Sequence, residues 1–120
     1  MNEWGLKVRF WVERKGKKVL GPGRVELLEL IDHHHSISAA ARQMKMSYRR
    51  AWELVQAMNE AAGVPLVEAS PGGSHGGGAS LTAKGHQAIR LYRSLLSRFT
   101  STAEQAALPA DPLAATYSPG

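Results

Sequence analysis

Hydrophobic and polar positions alternate early in the chain: Leu6, Val8, Phe10 and Val12 fall on one side, Lys7, Arg9, Trp11 and Glu13 on the other. A period of two suits a strand with one buried face, because successive side chains leave a pleated backbone on opposite sides. Gly16 can take a turn and Val19–Leu20 a short return strand, so an N-terminal β-hairpin is predicted. After Pro22, whose missing N–H is no loss in a first helical turn, the period lengthens. Val25, Leu28 and Ile31, widened by Leu27 and Leu30, mark a helix over about residues 22–33.

Next, Ser38 can cap a short helix whose Ala39, Ala40 and Ala41 admit a close neighbour. Ser47, three residues after Met44, can cap a second helix that buries Ala51, Val55, Met58 and Ala62 and stops at Gly63. Two capped helices across so short a turn are the signature of a helix-turn-helix. The segment V-P-L-V-E-A-S then reads as a strand, the glycine run as a loop and A-S-L-T as a return strand, together a wing over about residues 66–81. Thr82 caps a last helix, along which Ile89, Tyr92, Leu95 or Leu96, Phe99, Ala103 and Ala106 recur every three or four residues. A helix of about 83–107 with one apolar face is long for so small a domain and suggests packing against a second copy. The expected fold is mainly α with small β-hairpins, a winged helix-turn-helix over residues 1–107 with an N-terminal β-hairpin and a long C-terminal dimerisation helix. Proline-punctuated residues 108–120 read as a flexible tail.

Charge sharpens this picture. The formal net charge of the 120 residues is +5, which favours an anionic partner, and nucleic acid is the commonest for a small basic domain. Lys7, Arg9, Arg14, Lys15, Lys17 and Lys18 crowd the start of the chain; Arg42, Lys45, Arg49 and Arg50 cluster in the middle. With no cysteine there is no disulfide framework, thiolate zinc site or cysteine nucleophile, a composition that suits a reducing, cytoplasmic setting. No apolar run approaches the ~20 residues that span a bilayer, and no secretory signal opens the chain.

Two stretches invite chemistry and lose it on inspection. From Gly73, the run G-S-H-G-G-G-A-S misses a phosphate-binding P-loop only at Ala79, where the lysine would stand. A P-loop also leads directly into a helix, whereas a return strand follows here, so the glycines are read as a wing tip. In D-H-H-H-S, the consecutive His33, His34 and His35 point in different directions, and no second cluster completes a metal site. No serine–histidine–carboxylate set or paired acids stand at a suggestive spacing. No enzyme activity, cofactor or metal is expected.

The motifs S-I-S-A-A-A (36–41) and S-Y-R-R-A-W (47–52), Met58–Asn59, L-V-E (66–68), the glycine wing and L-T-A-K-G (81–85) resemble the N-terminal DNA-binding domain of ModE-type molybdate-responsive transcription regulators. That domain is a winged helix-turn-helix related to LysR-type regulators, and the resemblance covers about residues 5–107. Three departures stand out. The chain stops where the family's molybdate-binding domains begin, after a linker-like L-P-A-D-P-L-A-A, so direct molybdate binding is not expected. Ser74–His75 replace a wing lysine, and Lys45 occupies a turn position where the family often has glycine. A left-handed conformation at Lys45 would cost about 1 kcal/mol relative to glycine.

The roles follow from how such a helix enters the major groove, presenting its N-terminal residues to base edges. Arg49 and Arg50 are candidates for bidentate contact with guanine O6 and N7. Tyr48 can bond a phosphate or pack on a thymine methyl; Glu53 can accept from cytosine or pair with a neighbouring arginine. Trp52 is ambiguous, with core packing as its plain reading. The helix N-termini at Ser38 and Ser47 favour phosphate, with Arg42 and Lys45 beside them. At the wing, Gly73, Ser74, His75, Gly76 and Gly77 bring backbone N–H groups toward the DNA backbone. The expected partners are double-stranded DNA, carrying a pseudo-palindromic operator of molybdenum-related genes, and a second copy in a homodimer. The alternative is a protein-interaction module that heterodimerises with a full-length ModE-like protein; a small architectural DNA protein without sequence preference is a third reading.

Overall fold

A computed structural model describes residues 3–70, 78–106, 108–116 and 118. Its elements are β1 (Val12–Arg14), β2 (Lys17–Leu20), α1 (Pro22–His34), α2 (Ile37–Gln43), α3 (Tyr48–Ala62), β3 (Val67–Ser70), β4 (Gly78–Leu81) and α4 (Ala83–Ala106). The strands pair as two antiparallel hairpins, β1 with β2 and β3 with β4. The chain forms two compact units: residues 9–93, and residues 1–8 with 94–120.

The N-terminal alternation yields a shorter strand than its length suggests. Val12 pairs with Leu20, and α1 begins two residues later at Pro22, so β2 offers no partner to anything before Val12. The alternation survives as burial, with Phe10 and Val12 half-buried between exposed Arg9, Trp11 and Glu13. Lys15 and Gly16 close the hairpin with φ of 52° and 77°. Positive φ at both central residues is the type I′ geometry, whose twist matches that of the paired strands.

The core of residues 9–93 gathers side chains from all four helices and from β2, β3 and β4. Val25, Leu27, Leu28 and Ile31 of α1 are fully buried, beside Leu20 of β2, Ala40 and Ala41 of α2, and Ala51, Val55 and Met58 of α3. Each buried Val, Leu, Ile or Met contributes roughly 1.5–3 kcal/mol, so this layer dominates the stability of the unit. The apolar stripe of α3 ends on Ala61 rather than the expected Ala62, which is only half-buried. The Arg14 guanidinium donates to the Ala61 carbonyl at 3.4 Å, and Gly63 stops the helix in the left-handed region at φ 75°.

Helix α4 joins this core through Tyr92, which is 1% exposed, stacks on Phe10 at 4.4 Å and donates its hydroxyl to the Phe10 carbonyl at 3.2 Å. Burial raises the Tyr92 pKa above its ordinary value, while Arg93 and Arg9 oppose the shift. Arg93 grips Glu29 of α1 through two guanidinium nitrogens, and this hydrogen bond raises the Arg93 pKa. His86 faces Asp32 at 3.6 Å. In the second unit, Trp4, Leu6, Val8, Thr100, Ala103 and Leu108 line a shallow groove. Asp111 turns the chain after α4 by accepting from the Leu113 and Ala114 amides.

Candidate nucleic-acid interface

The connection between α2 and α3 is tight because three backbone bonds close it: Met44 N–H to the Ala40 carbonyl, Lys45 N–H to Arg42 and Met46 N–H to Ala41. Lys45 turns the chain at φ 58°, in the left-handed conformation whose cost at this position was weighed from the sequence. Ser36, not Ser38, caps α2, its Oγ accepting from the Ala39 amide at 3.0 Å. Both serines precede a small-residue run; Ser36 takes the cap because its backbone is extended, at φ −157° and ψ 123°, as that position requires. Ser38 lies within the first turn, exposed, where its Oγ accepts from Arg42 at 3.4 Å.

Ser47 caps α3 as its position in the sequence implies, accepting from the Arg50 amide at 3.1 Å. Its carbonyl takes the first helical bond from Ala51. The cap sets the direction in which the helix leaves the turn, and the buried Ala51–Val55–Met58 stripe fixes its rotation about its own axis. Those two constraints leave Tyr48 exposed at the start of the helix, beyond the end of the buried stripe, and Arg49, Arg50, Trp52 and Glu53 exposed on its flanks and outer side. Arg49 Nε donates to Glu53 Oε1 at 3.2 Å, yet 88% of the Arg49 side chain remains in solvent. An exposed pair one helical turn apart is worth about 0.3–0.5 kcal/mol, so releasing Arg49 to another acceptor is cheap.

Trp52 corrects its plain reading. It is 46% exposed, one turn beyond Tyr48, and the two rings with Arg49 and Glu53 line a shallow depression on α3. The core position it was expected to fill is taken by Ala51 and Val55, leaving the indole on the helix flank. Arg50 carries its charge toward α1: the Arg24 pKa is lowered by desolvation and then by the Arg50 guanidinium. Ser47, Tyr48, Arg49, Arg50 and Glu53 are thus brought together in the first two turns of α3, with Lys45 exposed in the turn before it and Arg42 exposed on α2.

The wing hairpin is tied to this helix by contacts that periodicity could not reveal. Asn59 of α3 accepts the Leu66 and Val67 amides on Oδ1, at 2.8 and 3.3 Å, and donates from Nδ2 to the Val67 carbonyl at 3.1 Å. Asn59 stood out in the sequence only as part of the Met58–Asn59 motif of the family resemblance, with nothing to assign it this role. Thr82 donates to the Pro65 carbonyl at 2.7 Å and accepts the Gly85 amide at 3.0 Å, capping α4 as expected. Gly85 allows α4 to touch β3: a Cβ there would stand 2.2 Å from the Leu66 carbonyl oxygen. On the other side of the wing, the His35 carbonyl at the end of α1 accepts the Ala79 amide at 3.1 Å. Gly73, Ser74, His75, Gly76 and Gly77 of the wing tip lie outside the described residues.

The histidine run diverges as it leaves α1. His34 Nε2 meets Gln43 Oε1 at 2.8 Å, the His33 and His34 rings stand edge to face, and His35 turns left-handed at φ 53°. Among the described residues, no group of three histidines or carboxylates is placed to hold a metal ion.

A tri-helical core, two helices across a four-residue turn and a β-hairpin held against the second of them define a winged helix-turn-helix. The same fold occurs in the CbnR DNA-binding domain solved in complex with DNA, with a TM-score of 0.54 at 24% identity over 70% of this chain and 91% of that one. VV2_1132, a LysR-family transcriptional regulator, gives 0.53 at 22% identity over 69% of this chain and 27% of its own.

Residues 23–86 match the bacterial regulatory helix-turn-helix proteins of the lysR family, and the chain belongs to that family. It is 48% identical over 84 residues to the molybdenum-pterin-binding protein MopB of Rhodobacter capsulatus, across 70% of this chain and 31% of the relative. The transcriptional regulator ModE of Haemophilus influenzae is 42% identical over 79 residues, 66% of this chain and 31% of its own. The DNA-binding transcriptional dual regulator ModE of Escherichia coli is 38% identical over 101 residues, 81% of this chain and 38% of its own. The chain therefore spans about a third of the length of these relatives.

Proposed function

We propose that this chain is a sequence-specific, double-stranded DNA-binding transcription regulator of ModE type. The observation that carries the reading is the N-terminal turn of α3: rigidly capped by Ser47, it presents Arg49 and Arg50 unburied at the end of a helix that follows a tight turn. Arg49 and Arg50 are assigned to base edges, because a guanidinium fits guanine O6 and N7 bidentately. Tyr48 and Glu53 complete the reading turn. Ser38, Arg42, Lys45 and Ser47 hold phosphates on one side, and Gly73, Ser74, His75, Gly76 and Gly77 hold the adjacent backbone. No cofactor or metal enters the reading, and no helix among the described residues is long and apolar enough to cross a membrane.

The working form is a homodimer joined through α4. Leu91 and Phe99 stand exposed on that helix with half-buried Leu95 between them, a stripe at four-residue spacing. Two copies place two α3 helices on half-sites about 34 Å apart, one turn of DNA, on a pseudo-palindrome. The relative named a molybdenum-pterin-binding protein, beside those named as ModE transcriptional regulators, supports an operator among molybdenum-related genes. Selection of bound sites from random duplexes by the purified protein tests this directly. The expected product is an inverted repeat with guanines in each half-site at that spacing. Enrichment of no sequence, or of a single unrepeated half-site, would overturn the reading or its dimeric part respectively.

A further inference from the structure

The reading above assigns no base contact to the β1–β2 hairpin, yet it carries a dense group of positive charges. Lys15 lies at its tip, and Lys17 and Lys18 lie on β2, all exposed. Lys17, Lys18 and Arg24 line an open groove whose floor is made by Ala57 and Ala61 of α3, with Glu60 on its rim. Arg24 is held in place by donating from Nη1 to the Lys18 carbonyl at 2.6 Å. Desolvation and then the Arg50 guanidinium lower the Arg24 pKa, so Arg50, at the N-terminal end of α3, adds a further positive charge near this groove.

Two features decide what this row can bind. Among the described residues, none of Lys15, Lys17, Lys18, Arg24 and Arg50 forms an ion pair. Glu13 stands opposite Lys18 in the ladder, Glu60 borders the groove, and Glu53 lies a turn beyond Arg50, paired with Arg49; Lys18 Nζ rests 5.1 Å from the Trp11 ring centroid, and the cations still outnumber the carboxylates. The arrangement is also extended. Lys17, Lys18 and Arg24 border the open groove beside Ala57 and Ala61, and α3 rises about 16 Å from Arg50 to Ala61 at ~1.5 Å per residue, more than one small anion spans. A small anion needs converging donors; an extended polyanion needs a row over a floor of small side chains, which Ala57 and Ala61 supply.

We infer that the β1–β2 hairpin and the adjoining side of α3 form a second phosphate-binding surface, taking the backbone of DNA that flanks the base-contacted site. This rests on the DNA-binding reading above and adds an element, the N-terminal hairpin, that the helix-turn-helix and wing do not include. Lys15 and Lys17 carry the contact. The type I′ turn fixes the backbone of Lys15 at the hairpin tip.

The test is the double variant Lys15→Asn, Lys17→Gln. Asparagine before Gly16 is favoured in a type I′ turn, so the hairpin is retained while two charges are removed. Affinity is measured against salt on two duplexes, one cut flush with the selected site and one extended by about ten base pairs, a helical turn, on each side. On the extended duplex the variant is expected to lose about 1–2 from the slope of log K against log salt, at ~0.9 per phosphate contact. On the flush duplex it is expected to match the wild type, and its ranking of sequences is expected to be unchanged. An unaltered slope on the extended duplex, or an equal loss on both, overturns the inference while the parent reading stands. A wild-type protein that binds no duplex ends both.

Discussion

Lys45 is a long, charged side chain in a backbone region that glycine occupies at least cost, with φ at 58°. Lys45→Gly is expected to stabilise the fold by about 1 kcal/mol, by relieving left-handed strain. The same change is expected to weaken DNA binding evenly across sequences and to lower the salt slope by about 0.9, one phosphate contact. Urea unfolding and DNA titration on one sample measure both, and a variant that gains stability without losing affinity would remove Lys45 from the interface. Tyr92 gives a second test at this scale. Burial raises its pKa, so the folded state keeps the phenolic proton that the unfolded chain releases. Stability from this residue is therefore complete below the unfolded pKa of about 10 and is lost as pH climbs toward the folded value. Tyr92→Phe is expected to cost about 1 kcal/mol at neutral pH, for the bond to Phe10, and to flatten the alkaline loss. Denaturant melts at neutral pH and at about pH 11 separate the two effects. Residues whose role is local were legible in the sequence: Ser47, Gly63 and Thr82 each end or begin a helix through groups within a few positions. Trp52 was not, because whether an indole faces core or solvent depends on which neighbours, here Ala51 and Val55, fill the space beneath.

At the scale of elements, order and type were readable because period and caps agree along most of the chain. The disagreements came where a partner decides the outcome. The alternation before Val12 forms no ladder because β2 ends at Leu20, and the choice between Ser36 and Ser38 as cap rests on a backbone angle. The wing's attachment was hidden for the same reason. Asn59 and Gly85 meet β3 and its approach across the turn at Leu66, a three-dimensional contact without a period. Gly85 marks how close that contact is. Gly85→Ala places a methyl 2.2 Å from a carbonyl oxygen, and the overpacking is expected to destabilise by about 1–3 kcal/mol. Hydrogen exchange is expected to show the loss first at the Leu66 and Val67 amides, which Asn59 holds. A variant with wild-type exchange at those amides would mean that α4 and β3 separate without strain.

At the scale of the molecule, a net charge of +5 is distributed rather than diffuse, with one cluster at the hairpin and another around the α2–α3 turn. The fold sets the second cluster on a rigid helix end, and membership of the lysR family agrees with that arrangement. The candidate site was legible at Tyr48, Arg49, Arg50 and Glu53, since a cap followed by exposed arginines is a local pattern. The cationic row from Arg50 past Arg24 to Lys17 was not, because its members come from α3, α1 and β2. The central claim is that the turn after Ser47 reads bases, and a titration of Arg50→Ala against the selected site and its single-base-pair variants tests it most directly. The expected result is a loss of about 1–3 kcal/mol on the preferred site, with discrimination erased at one base pair and kept at the others. Equal weakening on every duplex would make Arg50 a phosphate contact, and unchanged binding would place the recognition surface elsewhere.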